Sequence, residues 1–429
     1  MNVNDSLTFP AARARNGLPK ETRVAVLFWR FGPYHHARLN AAGQLMSVWG
    51  VEACGMEDIY AWAKVEGADA FTRITLTDRA QGDGKWRREL QRKMQQTLDE
   101  IKPQVVVIPG WVYADALSAL LWCAETNTPV VVMSESNAWD EPRKFWKEWI
   151  KGRLVKMCAA GLAGGTPHAD YLAQLGLARE RIFLGYDIVD NDHFAKGAAE
   201  ARTREPELRK QHGLPEKYFL ASARFIEKKN LSRLIQAYAR YRALAEKSTA
   251  GPWKLVLLGD GPLRESLNAQ ISTLNLHGHV LLPGFKQYDE LPVYFGLASA
   301  FVHASTAEQW GLVVNEAMAS GLPMLVSNRC GCAQDLVREG VNGFQFDPLD
   351  AEQLTQLMLK VSASGFPLSE FGLASRDIIS KWGPDRFAHG LKSAVEKALG
   401  AGPGQSRLAN RFSVWTCLRW SNQFSNVGV

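Results

Sequence analysis

Long apolar runs are scarce in this 429-residue chain, and that scarcity excludes the simplest membrane and secretory readings. The opening segment MNVNDSLTFPAARARNGLPKET has no apolar stretch of the length a signal peptide needs, so secretion is not expected. The most apolar window, Val105 to Ala124, contains Pro109, Gly110 and Asp115. A spanning helix of about 20 residues would place that carboxyl in lipid, so the window reads as strand, loop and core helix. Cysteine is also sparse, with six scattered at 54, 123, 158, 330, 332 and 417. Cys330-Gly-Cys332 is a close pair, but it lacks the second pair that would complete a zinc site, and reduced cytosolic thiols are expected. Nor is either charge in marked excess. With 50 Lys and Arg against 44 Asp and Glu, the net charge of +6 implies no nucleic acid, though it suits a phosphorylated ligand or an anionic membrane surface.

What is present is the composition of an average soluble protein, 46% hydrophobic and 22% charged, in a chain too long for one ordinary core. Short apolar runs alternate with helical patterns, the signature of parallel sheets covered on both faces. One series runs through Arg23–Trp29, Val105–Ile108 and Pro129–Met133. A second runs through Tyr218–Ser222, Trp253–Leu258, Val280–Leu282, Ala300–His303 and Pro323–Val326. The polar stretch Ala195–Glu216 separates them and reads as a linker. The predicted organisation is a flexible N-terminus (1–20), an α/β domain over 21–198, a second over 199–382, a helix over 383–400 placed to pack back on the first domain, and a tail over 401–429. The breaker cluster Gly400-Ala-Gly-Pro-Gly404 should end the fold.

The strongest local signal is His303-Ala-Ser-Thr-Ala-Glu308-Gln-Trp310-Gly311-Leu312-Val313-Val-Asn-Glu316-Ala-Met-Ala-Ser-Gly321-Leu-Pro323. A strand ends, a small polar loop carries one carboxylate, and a helix opens after a glycine with a second carboxylate in its early turns. The helix start suits a diphosphate, and a carboxylate can accept two hydrogen bonds from a vicinal diol. The second signal is Arg224-Phe-Ile-Glu-Lys-Lys229-Asn, a basic loop where another strand runs out. Two fixed cations there can stabilise a leaving diphosphate without a metal. Leu257-Leu-Gly259-Asp-Gly261-Pro262 and Leu282-Pro-Gly284-Phe285 are further strand-to-glycine turns, weak alone.

In this order and spacing the four pieces resemble the second domain of retaining glycosyltransferases of family 4. The resemblance is close over about Tyr218 to Asp350 and looser over the whole chain. It implies an α/β protein of the GT-B architecture, two Rossmann-like domains whose parallel sheets face across a cleft. It also implies metal-independent transfer of a sugar from a nucleoside diphosphate such as a UDP- or GDP-sugar, with no cofactor and with retention at the anomeric carbon. By resemblance, Arg224 and Lys229 hold the donor diphosphate, and Glu308 contacts the transferred sugar. Glu316 binds ribose hydroxyls, and Gly284 and Phe285 lie near the nucleobase. The main chain at Trp310, Gly311 and Leu312, continuing to Val313, lies against sugar and phosphates. The family more often has phenylalanine at the place of Trp310.

The first domain says less. Arg30-Phe-Gly32-Pro-Tyr-His35-His36 is similar to the family's first loop at the cleft, making Gly32, His35 and His36 acceptor-side candidates, with Asp115 beside them. The histidine that many relatives carry after a central strand is missing from Pro109-Gly110-Trp111. Downstream, Lys144, Lys147 and Lys151 share a helix face next to Phe145, Trp146 and Trp149, which suggests peripheral membrane contact through 143–156 on the inner face of the membrane and a saccharide or lipid-linked acceptor. Asp190-Asn-Asp192 formally resembles a metal-binding acidic pair but stands apart from the donor motifs. A non-catalytic nucleotide-sugar-binding partner and a GT-B nucleotide-sugar epimerase stay open as other readings.

Overall fold

The computed structural model describes residues 22–56, 69–79, 84–247, 251–404, 412–414 and 416–417. The expected flexible segment 1–20 and most of the tail, including Arg407, Arg411, Trp415, Leu418, Arg419, Trp420 and Phe424, lie outside the described residues.

The first sheet contains β1 (Arg23–Phe28), β2 (Ser47–Met56), β3 (Thr72–Arg79), β4 (Val105–Pro109), β5 (Val130–Ser134), β6 (Ala160–Ala163) and β7 (Ile182–Leu184), in the order β3-β2-β1-β4-β5-β6-β7. The second contains β8 (Tyr218–Ser222), β9 (Lys254–Leu258), β10 (Val280–Gly284), β11 (Ala300–His303), β12 (Met324–Ser327) and β13 (Gly343–Phe346), in the order β10-β9-β8-β11-β12-β13. The pairings in both are parallel. Helices on both faces explain why β4 and β5 read as nearly unbroken valine runs: no side of these strands meets water. This is the GT-B pair expected from the sequence.

Each sheet has one topological switch point. The chain leaves β1 toward β2 and later returns to β1's other edge with β4; β8, β9 and β11 repeat the move. The loops after β1 and β4, and those after β8 and β11, therefore diverge and open a crevice at the carboxyl ends of the strands.

Two segments depart from expectation. Ala195–Glu216 is not a bare linker: it lies within helices Asn191–Thr203 and Glu205–His212, and Phe194, Ala201, Leu208 and Leu214 enter the second core beside Tyr218 and Phe301. Its overall polarity hides an apolar stripe at helical spacing. As expected, the helix Pro384–Ala401 crosses back and buries Phe387, Leu391, Val395 and Ala398 against Val24, Val26 and Leu162 of the first sheet. Nor does the glycine cluster finish the fold, because Val414 is fully buried in the first core and Cys417 packs on the same cluster.

Candidate functional site

Neighbouring strands β8 and β11 bring the basic and acidic loops together. Thr306 N–H donates to the Lys228 carbonyl (2.9 Å), and Asn230 Nδ2 donates to the Ala304 carbonyl (3.0 Å). The result is a convergence on one oxygen: Lys229 Nζ donates to Glu308 Oε2, which Ser305 Oγ (3.2 Å) and His303 Nε2 (3.1 Å) also approach. Burial alone would raise the pKa of Glu308, but the Lys229 and His303 charges outweigh it and hold the carboxyl well below its usual range. His303 responds in the opposite sense. Against the effect of burial, its contacts with Cys330 and Glu308 push its pKa up to about 9, so it is a cation at neutral pH. Arg224 stands on the same loop, close enough to Lys228 to depress that lysine's pKa, after burial and Lys229.

Past Glu308 the chain turns at Gly311, whose φ of 98° is left-handed. A Cβ there would lie 2.7 Å from the Cys330 sulfur, so the turn requires glycine. The helix Leu312–Ala319 follows, with Leu312 and Val313 half-buried in its first turn. Glu316 is 1% exposed. The Tyr34 hydroxyl, from the first domain, donates to Glu316 Oε1, whereas Oε2 finds no partner among the described residues. Burial raises the Glu316 pKa to about 8, only partly offset by the Tyr34 hydrogen bond. The two glutamates thus sit in opposite electrostatic surroundings.

The remaining donor-side positions lie around this pair. Gly284 ends β10 at a φ of 87° and its carbonyl accepts from Gly259 N–H (3.1 Å), while Phe285 projects as an exposed ring. The Trp310 side chain is not at a ligand surface. It is 1% exposed, donates from its indole to Asn315 Oδ1 (2.9 Å), and packs beside Trp382 and the first-domain His168. The exchange of phenylalanine for tryptophan at this position therefore concerns packing between the domains.

Of the acceptor-side candidates, Gly32 caps the helix Pro33–Gly43 in an extended conformation that any residue adopts, and its N–H donates to His35 Nδ1 (3.1 Å). His35 packs edge-on against Phe28, and burial with Arg38 and Arg30 drives its pKa down to about 3, leaving it neutral. His36 pairs with Asp69 (2.6 Å). Asp115 is fully buried at the start of the helix Ala114–Thr126, and neither carboxyl oxygen finds a partner at hydrogen-bonding geometry. Burial raises its pKa to about 6, partly offset by the Ala116 N–H. The structure gathers Arg224, Lys229, Glu308, Gly311 and Glu316 at the second sheet's switch point and leaves His36 on another partner.

Several contributors carry no local sequence signal. Glu52, buried in β2, accepts from the Phe31 N–H (2.8 Å) and pairs with Arg73 (2.9 Å), fixing the loop after β1. Asn137 Nδ2 (3.3 Å) and His168 Nε2 (2.8 Å) reach across from the first domain to the Gln309 carbonyl, next to Glu308. Thr166 grips Asp335 in the same way through N–H (2.8 Å) and Oγ1 (2.6 Å). Tyr34 and His303 belong to this group, since a tyrosine in a helix start and a histidine at a strand end are ordinary core residues by pattern.

The helix Phe145–Val155 also differs from its reading. Its aromatic residues face outward, with Phe145 87% exposed and Trp146, Trp149 and nearby Trp139 also open. Lys151 pairs with Glu141 (2.7 Å) and Glu148 (3.2 Å), which compensates the face expected to be cationic. Asp190 caps the helix Asn191–Thr203 and Asp192 pairs with Lys196, so both serve local structure. Among the described residues, no group of three or more His, Cys, Asp or Glu is placed to hold a metal, and no helix is long and apolar enough to cross a membrane.

Residues 204–372 match the family model described as Glycosyl transferases group 1. The chain is 29% identical over 227 residues to mannosylfructose-phosphate synthase of Agrobacterium fabrum, covering 50% of this chain and 48% of that protein. It is 28% identical over 260 residues to a sulfoquinovosyl transferase of Arabidopsis thaliana, covering 58% and 46%. The chain thus spans about half the length of these curated relatives. Its fold is similar to that of HepE of Anabaena, solved in complex with UDP-glucose, with a TM-score of 0.64, 18% identity, and coverage of 86% of this chain and 97% of that one.

Proposed function

We propose that this chain, which belongs to the group 1 glycosyl transferases, is a retaining enzyme that moves a sugar from a nucleoside diphosphate to a saccharide or lipid-linked acceptor in surface glycan synthesis. The observation that carries the reading is the convergence of Lys229, His303 and Ser305 on Glu308 beside Arg224, at the switch point of the second sheet.

A carboxylate held ionised by two cations cannot serve as a general acid at neutral pH, but it can accept sugar hydroxyls and stabilise positive charge developing at an anomeric carbon. Arg224 and Lys229 supply fixed cations for a diphosphate as the glycosidic bond breaks, and the start of the helix Leu312–Ala319 adds main-chain N–H groups. Glu316, with one buried oxygen unpartnered, suits a ribose diol. The HepE complex with UDP-glucose supports a nucleotide-sugar donor on this fold. Of the acceptor-side candidates, Asp115 is sealed from solvent and His35 is neutral and packed, which favours front-face transfer in which the leaving phosphate takes the acceptor's proton.

The exposed Phe145, Trp146, Trp149 and Trp139, with Arg153 stacked over Trp149 (4.0 Å), suit the interfacial zone of a bilayer and a lipid-linked acceptor presented there. The test of the whole reading is incubation with UDP- and GDP-sugars in chelator with a panel of saccharide and lipid acceptors. Transfer with retained configuration is expected. Binding without transfer would mark a non-catalytic partner, a new nucleotide sugar formed without acceptor would mark an epimerase, and no binding at all would defeat the reading.

A further inference from the structure

Glu316 presents an unusual arrangement for a buried carboxylate. One oxygen accepts the Tyr34 hydroxyl, and the other is buried with no hydrogen-bond partner among the described residues. An orphaned acceptor in a low-dielectric site is costly, and it is most economically explained when the site is built for a second donor. The donor already present comes from far away: Tyr34 lies at the start of the helix Pro33–Gly43, in the other domain. Its ring is fixed edge-on against Tyr288 of the second domain (5.7 Å), so the hydroxyl is aimed rather than loosely placed.

We propose that Tyr34 is a donor-site residue that holds the place of one ribose hydroxyl on Glu316, and that nucleotide binding exchanges its hydrogen bond to that carboxylate for the two supplied by the vicinal diol. The inference rests on the reading of Glu316 as the ribose ligand. A phenol and a sugar hydroxyl offer the same O–H donor, and a bidentate diol needs both carboxylate oxygens, one of which Tyr34 already holds. The exchange also cuts a link between the domains, because Tyr34 and Glu316 stand on opposite sides of the cleft. Nucleotide occupancy at the second domain is thereby communicated to the helix that follows β1, on the acceptor side, through one hydrogen bond.

The test is titration calorimetry of UDP, GDP and ADP into the full chain and its Tyr34→Phe, Glu316→Gln and doubly substituted forms, with a thermal melt confirming that each is folded. For whichever nucleotide binds, Tyr34→Phe should tighten binding roughly three- to tenfold, because the competing hydrogen bond is gone. Glu316→Gln should weaken it, Tyr34→Phe should add nothing in that background, and the gain should vanish for the 2′,3′-dideoxy nucleotide. If Glu316→Gln weakens binding while Tyr34→Phe weakens it too or leaves it unchanged, the place-holding role is overturned. If Glu316→Gln has no effect, the ribose assignment beneath it fails. Absence of binding by all three nucleotides overturns both. Should Tyr34→Phe melt early, Tyr34→Leu gives the same readout.

Discussion

The carboxyl ends of the two sheets face one another with the same topology and opposite furnishing. At the second sheet, ionised groups gather: the cations Lys229 and His303 flank the Glu308 carboxylate within hydrogen-bonding distance. At the first, titratable groups are pushed toward their neutral forms, with His35 lowered to about 3 and Asp115 raised to about 6 by burial. The difference teaches a division of labour. Under the proposed function, a diphosphate and a developing cation need charges fixed in advance, whereas a neutral hydroxyl acceptor needs shape and hydrogen bonds. Glu316 is the exception on the second side, and the first domain touches its carboxylate through Tyr34.

The sharpest break of this contrast is to remove the charge at its centre. Glu308→Gln keeps the shape but strands Lys229 and His303, and should lower kcat by on the order of a thousandfold, with nucleotide affinity little changed in calorimetry. A loss of less than tenfold would mean that Glu308 is only structural. His303→Gln should cost about tenfold in kcat, since Lys229 and Ser305 still hold the carboxylate.

A finer probe is pH, applied to Glu316, whose facing titratable groups are Tyr34 and Tyr288. Burial raises its pKa to about 8, so in the free protein it is largely protonated at neutral pH. A diol binds the ionised form best. Affinity should therefore rise about fivefold between pH 7 and 8 and level off above the raised pKa. Calorimetry in Glu316→Gln should give a flat profile over that range, and an equal slope in both proteins would assign the titration elsewhere.

The legibility of the two sides follows from the range of their contacts. Lys229 and Glu308 lie on two loops that end adjacent strands, and Glu316 lies in the helix that follows the second, so short motifs and the strand-turn-helix pattern suffice to find them. Tyr34 meets Glu316 across 282 positions, and Glu52 shapes the loop after β1 from within a neighbouring strand, so no local pattern marks either. Ala195–Glu216 failed differently: its charges read as a linker, while Phe194, Ala198, Ala201 and Leu208 kept an apolar face that composition alone does not reveal. Nor does residue spacing along the helix Phe145–Val155 reveal that Glu141 and Glu148 take up Lys151 or that Phe145 and Trp149 turn outward.

The smallest expected effect separates packing from function on the first side. Asp115 is fully buried with only the nearby Ala116 N–H to ease its charge among the described residues, and its pKa is raised to about 6 from an unperturbed value near 4. Because an acid with a raised pKa opposes folding once ionised, wild-type stability should fall as pH climbs from about 4 through 6, and the deficit should be fully present above that. Asp115→Asn removes the charge but leaves an amide to be satisfied, so the net gain should be on the order of 1 kcal/mol at pH 8 and should disappear at pH 4. Thermal melts at the two pH values measure it. A variant that is destabilised at pH 8, or that gains equally at both, would show that the carboxylate has a partner when ionised, and Asp115 would then return to the cleft as an acceptor ligand.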